Sequence, residues 1–324
     1  IKGFKNPFTY DEARTYLDYV KPKDIFKFAI ANNHPLNTVL MIGATYIGNS
    51  PFILRLPNII LGLMYLATSY RISKKFKNSL ITFLILSLSP LLFEFFTLAR
   101  GYGLASCLIF FGTVNYFYVE WNKFSILLSS ILFFLAIYSI FVSSIYVFCF
   151  FAVVIFNEVK KKNYFNFILS SMVVGFASYQ TMRWMITITE YDAYLYGLES
   201  KNIDKVDLIS SVFGFGPLFN PYMIIFGNIL LYGFIFLSIF VLFRNLIILK
   251  NYQLEIIFIL TTALLYIIPS IFDTKLPQFR VLLPFLPPLL LIIIKNINKF
   301  LEHETKYSNV VLLLFSSFII FNFI

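Results

Sequence analysis

An all-α polytopic membrane protein, with a bundle of about ten or more transmembrane helices, is the fold class this sequence predicts. Three observations point to it. Apolar residues make up 59% of the 324 and charged residues only 13%, about half the charged share of a soluble domain. The apolar residues run continuously rather than alternating, which argues against a membrane β-barrel. Basic residues collect in every second short connection, the pattern of loops kept on the cytoplasmic side. Water could not solvate so apolar an exterior, so a soluble globular enzyme, a disordered chain and a fibrous protein are excluded together.

The elements follow in order. Residues 1–50 read as a first outer loop with an acid pair and an amphipathic helix. Spans are then expected over 51–70, 80–96, 102–119, 124–138, 141–156, 165–182, 222–243, 254–272, 281–294 and 309–324. Several are shorter than the ~20 residues of a perpendicular helix, so broken or tilted geometry is expected. Pro284, Pro287 and Pro288 predict a break in the ninth. All 324 residues read as one transmembrane domain.

The loops with Arg71, Lys74, Lys75, Lys77 and Lys160–Lys162 are assigned to the cytoplasm, together with those holding Arg244, Lys250 and Lys295. The outside then receives residues 1–50, 183–221 and 273–280. No apolar run precedes residue 1, so a first helix crossing outward is expected ahead of it, and a C-terminal portion beyond the apolar run that ends at 324. The net charge of +10 is explained by loop retention rather than by nucleic acid. Cys107 and Cys149 lie in apolar runs and make neither a disulfide framework nor a metal site.

Four clusters could carry chemistry. In NPFTYDEARTYL, Asp11 and Glu12 are neighbouring acids. Mutual repulsion would raise the pKa of one and suit it to act as a base. The same letters also read as a helix start, with Thr9 as N-cap and Glu12 closing a capping box. In ANNHPLNTVL, Asn33 and His34 offer hydrogen bonds to a phosphate or a sugar hydroxyl, or serve structure, and Pro35 opens the next helix. In SLSPLLFEFFTLARGYG, Glu94 and Arg100 are charges at membrane depth, which usually face a cavity or each other. A guanidinium fork suits a phosphate, and snorkelling to headgroups is the alternative. In DTKLPQFRVLLPFLPP, Lys275 and Arg280 either complete an anionic-headgroup pocket or anchor the interface.

No nucleotide-binding phosphate loop, His/Cys metal spacing or D-x-D motif is present. No cofactor is assigned, and a divalent metal is the only one left open. Phosphate chemistry outside the cytoplasm without nucleotides points to a lipid-linked substrate.

Taken in order, YDEARTYL, NNHPLNTVL, GNSPFILRLPNIILGLMYL, LSPLLFEFFTLARGYGL and KLPQFRVLLPFLPPLLL resemble the bacterial polyprenyl-phosphate-sugar-dependent glycosyltransferases of the GT-C fold. That group is related to protein O-mannosyltransferases and to the lipid A aminoarabinose transferase. The resemblance spans nearly the whole chain and lacks the family's first helix. It implies that Asp11 is the base that activates the acceptor hydroxyl, with Glu12 as the acid beside it. It also implies that His34 belongs to the His-Pro of the outer helix, and that Arg100 holds the lipid phosphate. Lys275 and Arg280 match the basic residues before the Pro-rich helix. Many relatives have Glu two residues before that arginine, where this chain has Leu98. Glu94, one turn earlier, is expected to substitute.

The resemblance therefore implies transfer of a sugar, with inversion at C1, from a polyprenyl-phosphate donor to a lipid, glycan or protein acceptor. The setting is the inner (plasma) membrane, multi-pass, with the site facing the periplasm or exterior. Asp11, Glu12 and Glu94 are the catalytic candidates. Asn33, His34, Arg100, Tyr102, Lys275 and Arg280 are the substrate-binding ones. The alternative class is a non-enzymatic transporter or flippase of lipid-linked sugars, which would place polar residues at mid-membrane in several helices. A polysaccharide ligase or polymerase shares the donor but lacks the first-loop acid pair.

Overall fold

A computed structural model describes residues 7–25, 34–87, 89–119, 123–160, 162–190, 197–198, 253–271, 276–277 and 279–303. The described chain is almost entirely helical. It opens with α1 (Tyr10–Thr15), which runs on as a π-helical turn, Tyr16–Val20. There follow α2 (Pro35–Thr45), α3 (Pro51–Ser73), α4 (Ser79–Ser87), α5 (Pro90–Phe96) and α6 (Gly101–Tyr118). Beyond these come α7 (Lys123–Ser139), α8 (Ser143–Lys160), α9 (Tyr164–Glu190) and α10 (Gln253–Ile271). A 3₁₀ helix, Phe279–Phe285, leads into α11 (Leu286–His303). The one extended pairing among the described residues is two residues long: β1 (Gly197–Leu198) lies antiparallel to β2 (Leu276–Pro277).

Start signals explain several boundaries. Pro35, Pro51 and Pro90 each occupy the first helical position, where a missing N–H costs nothing. Ser50 and Ser89 cap the latter two helices by accepting from the backbone N–H three residues on. The expected span over 80–96 is two helices, because Pro90 cannot continue α4. The break foreseen in the Pro-rich span is the passage from 3₁₀ to α-helix at Leu286. The spans expected at 222–243 and 309–324 lie outside the described residues.

α6 is the hub. Both of its flanks are buried, and it packs on α3, α5, α7, α11 and the 3₁₀ helix. Gly112 lets it approach α7 closely, since a Cβ there would come within 2.8 Å of the Phe133 ring. One core gathers Tyr65, Phe96, Phe110, Leu286 and Leu290. A second gathers Phe133, Tyr146, Phe150, Ile257 and Leu282. A third, small one, made of Val20, Met41, Ala44, Leu54 and Ala99, seats α1 and α2 on the end of α3.

α3 and α8 are long and apolar enough to cross a membrane, and shorter apolar helices accompany them. Apolar side chains also face outward along α7 (Leu127, Leu128, Ile131, Phe134) and α9 (Phe165, Ile168, Met172). Contiguous surfaces of this kind mark contact with lipid or with another protein.

Candidate active site

The acid pair sits at the start of α1 because Thr9 and Glu12 form a capping box. The Thr9 amide donates to Glu12 Oε2 at 2.9 Å, and the Glu12 amide donates to Thr9 Oγ1 at 3.4 Å. Neighbouring positions on a helix point about 100° apart, so the two acids part company. Glu12 turns inward and is fully buried. Arg55 of α3 grips it through both oxygens, with Nε to Oε1 at 2.8 Å and Nη2 to Oε2 at 2.6 Å. The Ala99 amide adds a bond to Oε1 at 2.7 Å. Burial alone would raise the Glu12 pKa. The hydrogen bonds from Arg55, Thr9 and Ala99, with the Arg55 charge, outweigh it and hold Glu12 below the usual carboxylate value. The expected upward shift from acid–acid repulsion is therefore not found at Glu12. Its carboxylate is engaged by the Arg55 side chain and by the Thr9 and Ala99 amides.

Asp11 points the other way. Its Oδ2 lies 3.2 Å from Nη2 of Arg100, with the Asp11 side chain 21% exposed and the Arg100 side chain 2%. Arg100 is presented by a bend between α5 and α6, whose backbone is tied down by buried polar side chains. Asn58 Nδ2 donates to the Leu98 carbonyl and, at 3.0 Å, to the Arg100 carbonyl. Asn37 Nδ2 donates to the Ala99 carbonyl at 2.9 Å, and the Ala99 amide meets Glu12 as above. The bend's carbonyls and amide are thus paired by side chains where no helix pairs them.

His34, just ahead of Pro35, is buried and meets the Tyr102 ring edge-on at 5.0 Å. The guanidinium carbon of Arg100 lies 5.5 Å from the centre of the same ring, within cation–π range. Gly101 permits this closeness: a Cβ there would stand 2.7 Å from His34 Cγ and would also meet the Ser139 carbonyl.

The structure thus brings together Asp11, Glu12, His34, Arg100 and Tyr102. It does not bring in Glu94. α5 buries Leu92, Phe95 and Phe96, which share one face, so Glu94 falls on the other and is exposed. The helix also ends at Phe96 with Thr97 as C-cap, so Leu98 and Arg100 are not one and two turns along the same helix. The substitution of Glu94 for a second acid in the site required that continuity. Arg100 pairs with Asp11, not with Glu94. Asn33 and Lys275 lie outside the described residues, and Arg280 is placed by its backbone in the 3₁₀ helix. Among the described residues, no three of His, Cys, Asp and Glu cluster as metal ligands.

Arg55 and Asn58 carry much of this geometry and were not singled out by the sequence, whereas Asn37 belongs to the hydrogen-bonding groups of ANNHPLNTVL. A signal existed for the first two. They sit three residues apart, on one face, in an otherwise apolar run, where polar groups need a reason.

Chemically, the cluster offers a partly exposed carboxylate able to take a proton, next to a buried guanidinium able to bind two anionic oxygens. Comparison with protein families, with curated proteins and with solved structures returns no match to this chain.

Proposed function

We propose that this chain is a multi-pass membrane glycosyltransferase that moves a sugar from a polyprenyl-phosphate donor to an acceptor on the outer face of the membrane. The observation that carries the reading is the 3.2 Å approach of Asp11 to the buried Arg100. This is a base beside a phosphate-binding group, and both are needed for displacement at a sugar C1. The Asp11 carboxylate accepts the proton of the acceptor hydroxyl. The acceptor oxygen bonds to C1 as the C1–O bond to phosphate breaks. The electron pair leaves with the polyprenyl phosphate, which Arg100 holds. His34 and Tyr102 line the same place, with Tyr102 offering an aromatic face beside the guanidinium. Glu12 acts as an anchor and not as a second base.

The test is turnover by the purified chain in proteoliposomes. The substrates are undecaprenyl phosphate linked to a panel of pentoses and hexoses, and release of free undecaprenyl phosphate is the signal. Release that needs an acceptor and disappears in Asp11→Asn supports the reading. Full release in that variant ends it.

A transporter or flippase of lipid-linked sugars is the second reading. It calls for polar groups at mid-membrane, whereas the buried charge away from Asp11 lies at the opposite end of α6. Glu158 and Glu255 are also buried, the latter paired with Lys295 at 2.9 Å. Glu158 lies near Tyr116 and Glu255 near Tyr118, at the far end of the 18-residue α6, about 25 Å from Arg100 by helical rise. Movement of the donor across sealed vesicles without release of undecaprenyl phosphate would select this reading.

A further inference from the structure

We infer that Arg55 and Asn58 are positioning residues for the phosphate-binding arginine, an inference that rests on the reading of Arg100 given above. Asn58 reaches Arg100 through its backbone carbonyl, and Arg55 reaches the bend through Glu12. They stand three residues apart on α3, so both project from one face of a helix that also carries the fold's core. Each holds one part of the site. Arg55 fixes α1 through both oxygens of Glu12, and Glu12 passes that hold to the Ala99 amide. Asn58 fixes the bend on either side of Ala99, through the Leu98 and Arg100 carbonyls. α3 is thus a common base plate for the acid-bearing helix and for the arginine-bearing bend.

The chemistry explains the residue types. Only a guanidinium donates two parallel bonds to a carboxylate, so Lys at 55 would keep the charge and lose the fixed orientation. An amide of this length reaches two carbonyls from one position, so Ser at 58 would lose at least one of the two side-chain bonds that hold the bend. The phosphate then gains from a guanidinium already held in place. A misplacement on the order of 1 Å at such a site costs about 10²-fold.

The experiment uses the purified full-length chain in detergent and undecaprenyl phosphate without a sugar as the probe. Binding is followed by titration in native mass spectrometry, and folding by thermal melting. Arg55→Lys, Asn58→Ala and Asn58→Ser are compared with Arg100→Ala. They are also compared with Thr113→Val, which removes a buried hydrogen bond to Tyr146 remote from the site. The expected result is roughly ten-fold or greater weakening in the position-55 and position-58 variants, at a melting loss no larger than that of Thr113→Val, which binds as the parent does. Asn58→Ser serves as the milder variant should Asn58→Ala not fold. Parent-like binding in both Arg55→Lys and Asn58→Ser, with binding lost in Arg100→Ala, overturns the positioning role alone. Parent-like binding in Arg100→Ala overturns the phosphate reading, and the positioning role falls with it.

Discussion

Asp11 and Arg100 come from opposite ends of the described N-terminal half and meet at 3.2 Å, with the carboxylate on the site a phosphate would take. On the proposed function the pair would be a competition. A donor phosphate would have to displace Asp11 from Arg100, and the displaced carboxylate would then be unmasked as a base.

Asp11→Asn should consequently do two opposite things. Turnover should fall by about 10²–10⁴-fold, the usual worth of a positioned base. Affinity for undecaprenyl phosphate should rise, because the neutral amide competes less for Arg100. Parallel titration and turnover measurements check both. Weaker phosphate binding in the variant would count against the exchange.

Arg100→Lys should lose donor use despite keeping the charge, since an ammonium lacks the fork that holds two oxygens. Initial rates against donor concentration would show it as a raised KM, and an unchanged KM would remove the fork from the account.

Breaking the buried Glu12–Arg55 pair should be costly and its joint replacement less so. A single Arg55→Met or Glu12→Gln leaves a buried partner uncompensated, at about 3–5 kcal/mol. The double variant should lose less than the sum of the singles. Melting temperatures of the four proteins decide it, and simple additivity would deny the coupling.

The Glu12 carboxylate also sets a pH dependence with a definite sign. Its pKa is lowered on folding, so it contributes stability that is fully present above the unfolded carboxylate value. That contribution is lost as pH falls through the lower folded value. A melting series in acid should therefore fall more steeply in the parent than in Glu12→Gln. Parallel curves would show that Glu12 does not carry the effect.

Gly101→Ala should disturb the site without touching an ionisable group, because the added methyl meets the His34 ring and the Ser139 carbonyl. Reduced undecaprenyl phosphate binding by a folded Gly101→Ala is the expected outcome of the same titration.

Among the described residues, several helix starts were legible: Pro35 and Pro51 open helices, and Thr9 with Glu12 makes the capping box that the letters spell. The start at Pro90 was not, since 80–96 reads as one apolar run. Asp11 and Arg100 were legible as charges in unusual places. What adjacency could not convey was direction. Asp11 and Glu12 look like a single acidic feature in the sequence, and the helix sends one to Arg100 and the other to Arg55. Glu94 shows the same limit: helical spacing from Leu98 would turn it toward the site, but α5 stops at Phe96 and leaves Glu94 on its exposed face. Asn37 and Asn58 work through backbone atoms of a bend, and a bend's carbonyls leave no mark in the letters.

The Glu12 carboxylate also imposes an order of assembly. Its partners lie 43 and 87 residues later in the chain, so α1 is synthesised before either can meet it. Until then water and the neighbouring Thr9 satisfy the charge. Arg55 arrives with α3 and closes the first half of the joint. Ala99 arrives with the bend and closes the second, at the greater loop-closure cost. Asp11 and Arg100 therefore stand together only where both halves of the joint, Arg55 on α3 and Ala99 in the bend, are closed on α1. The geometry of the site doubles as a marker that this end of the bundle has been completed.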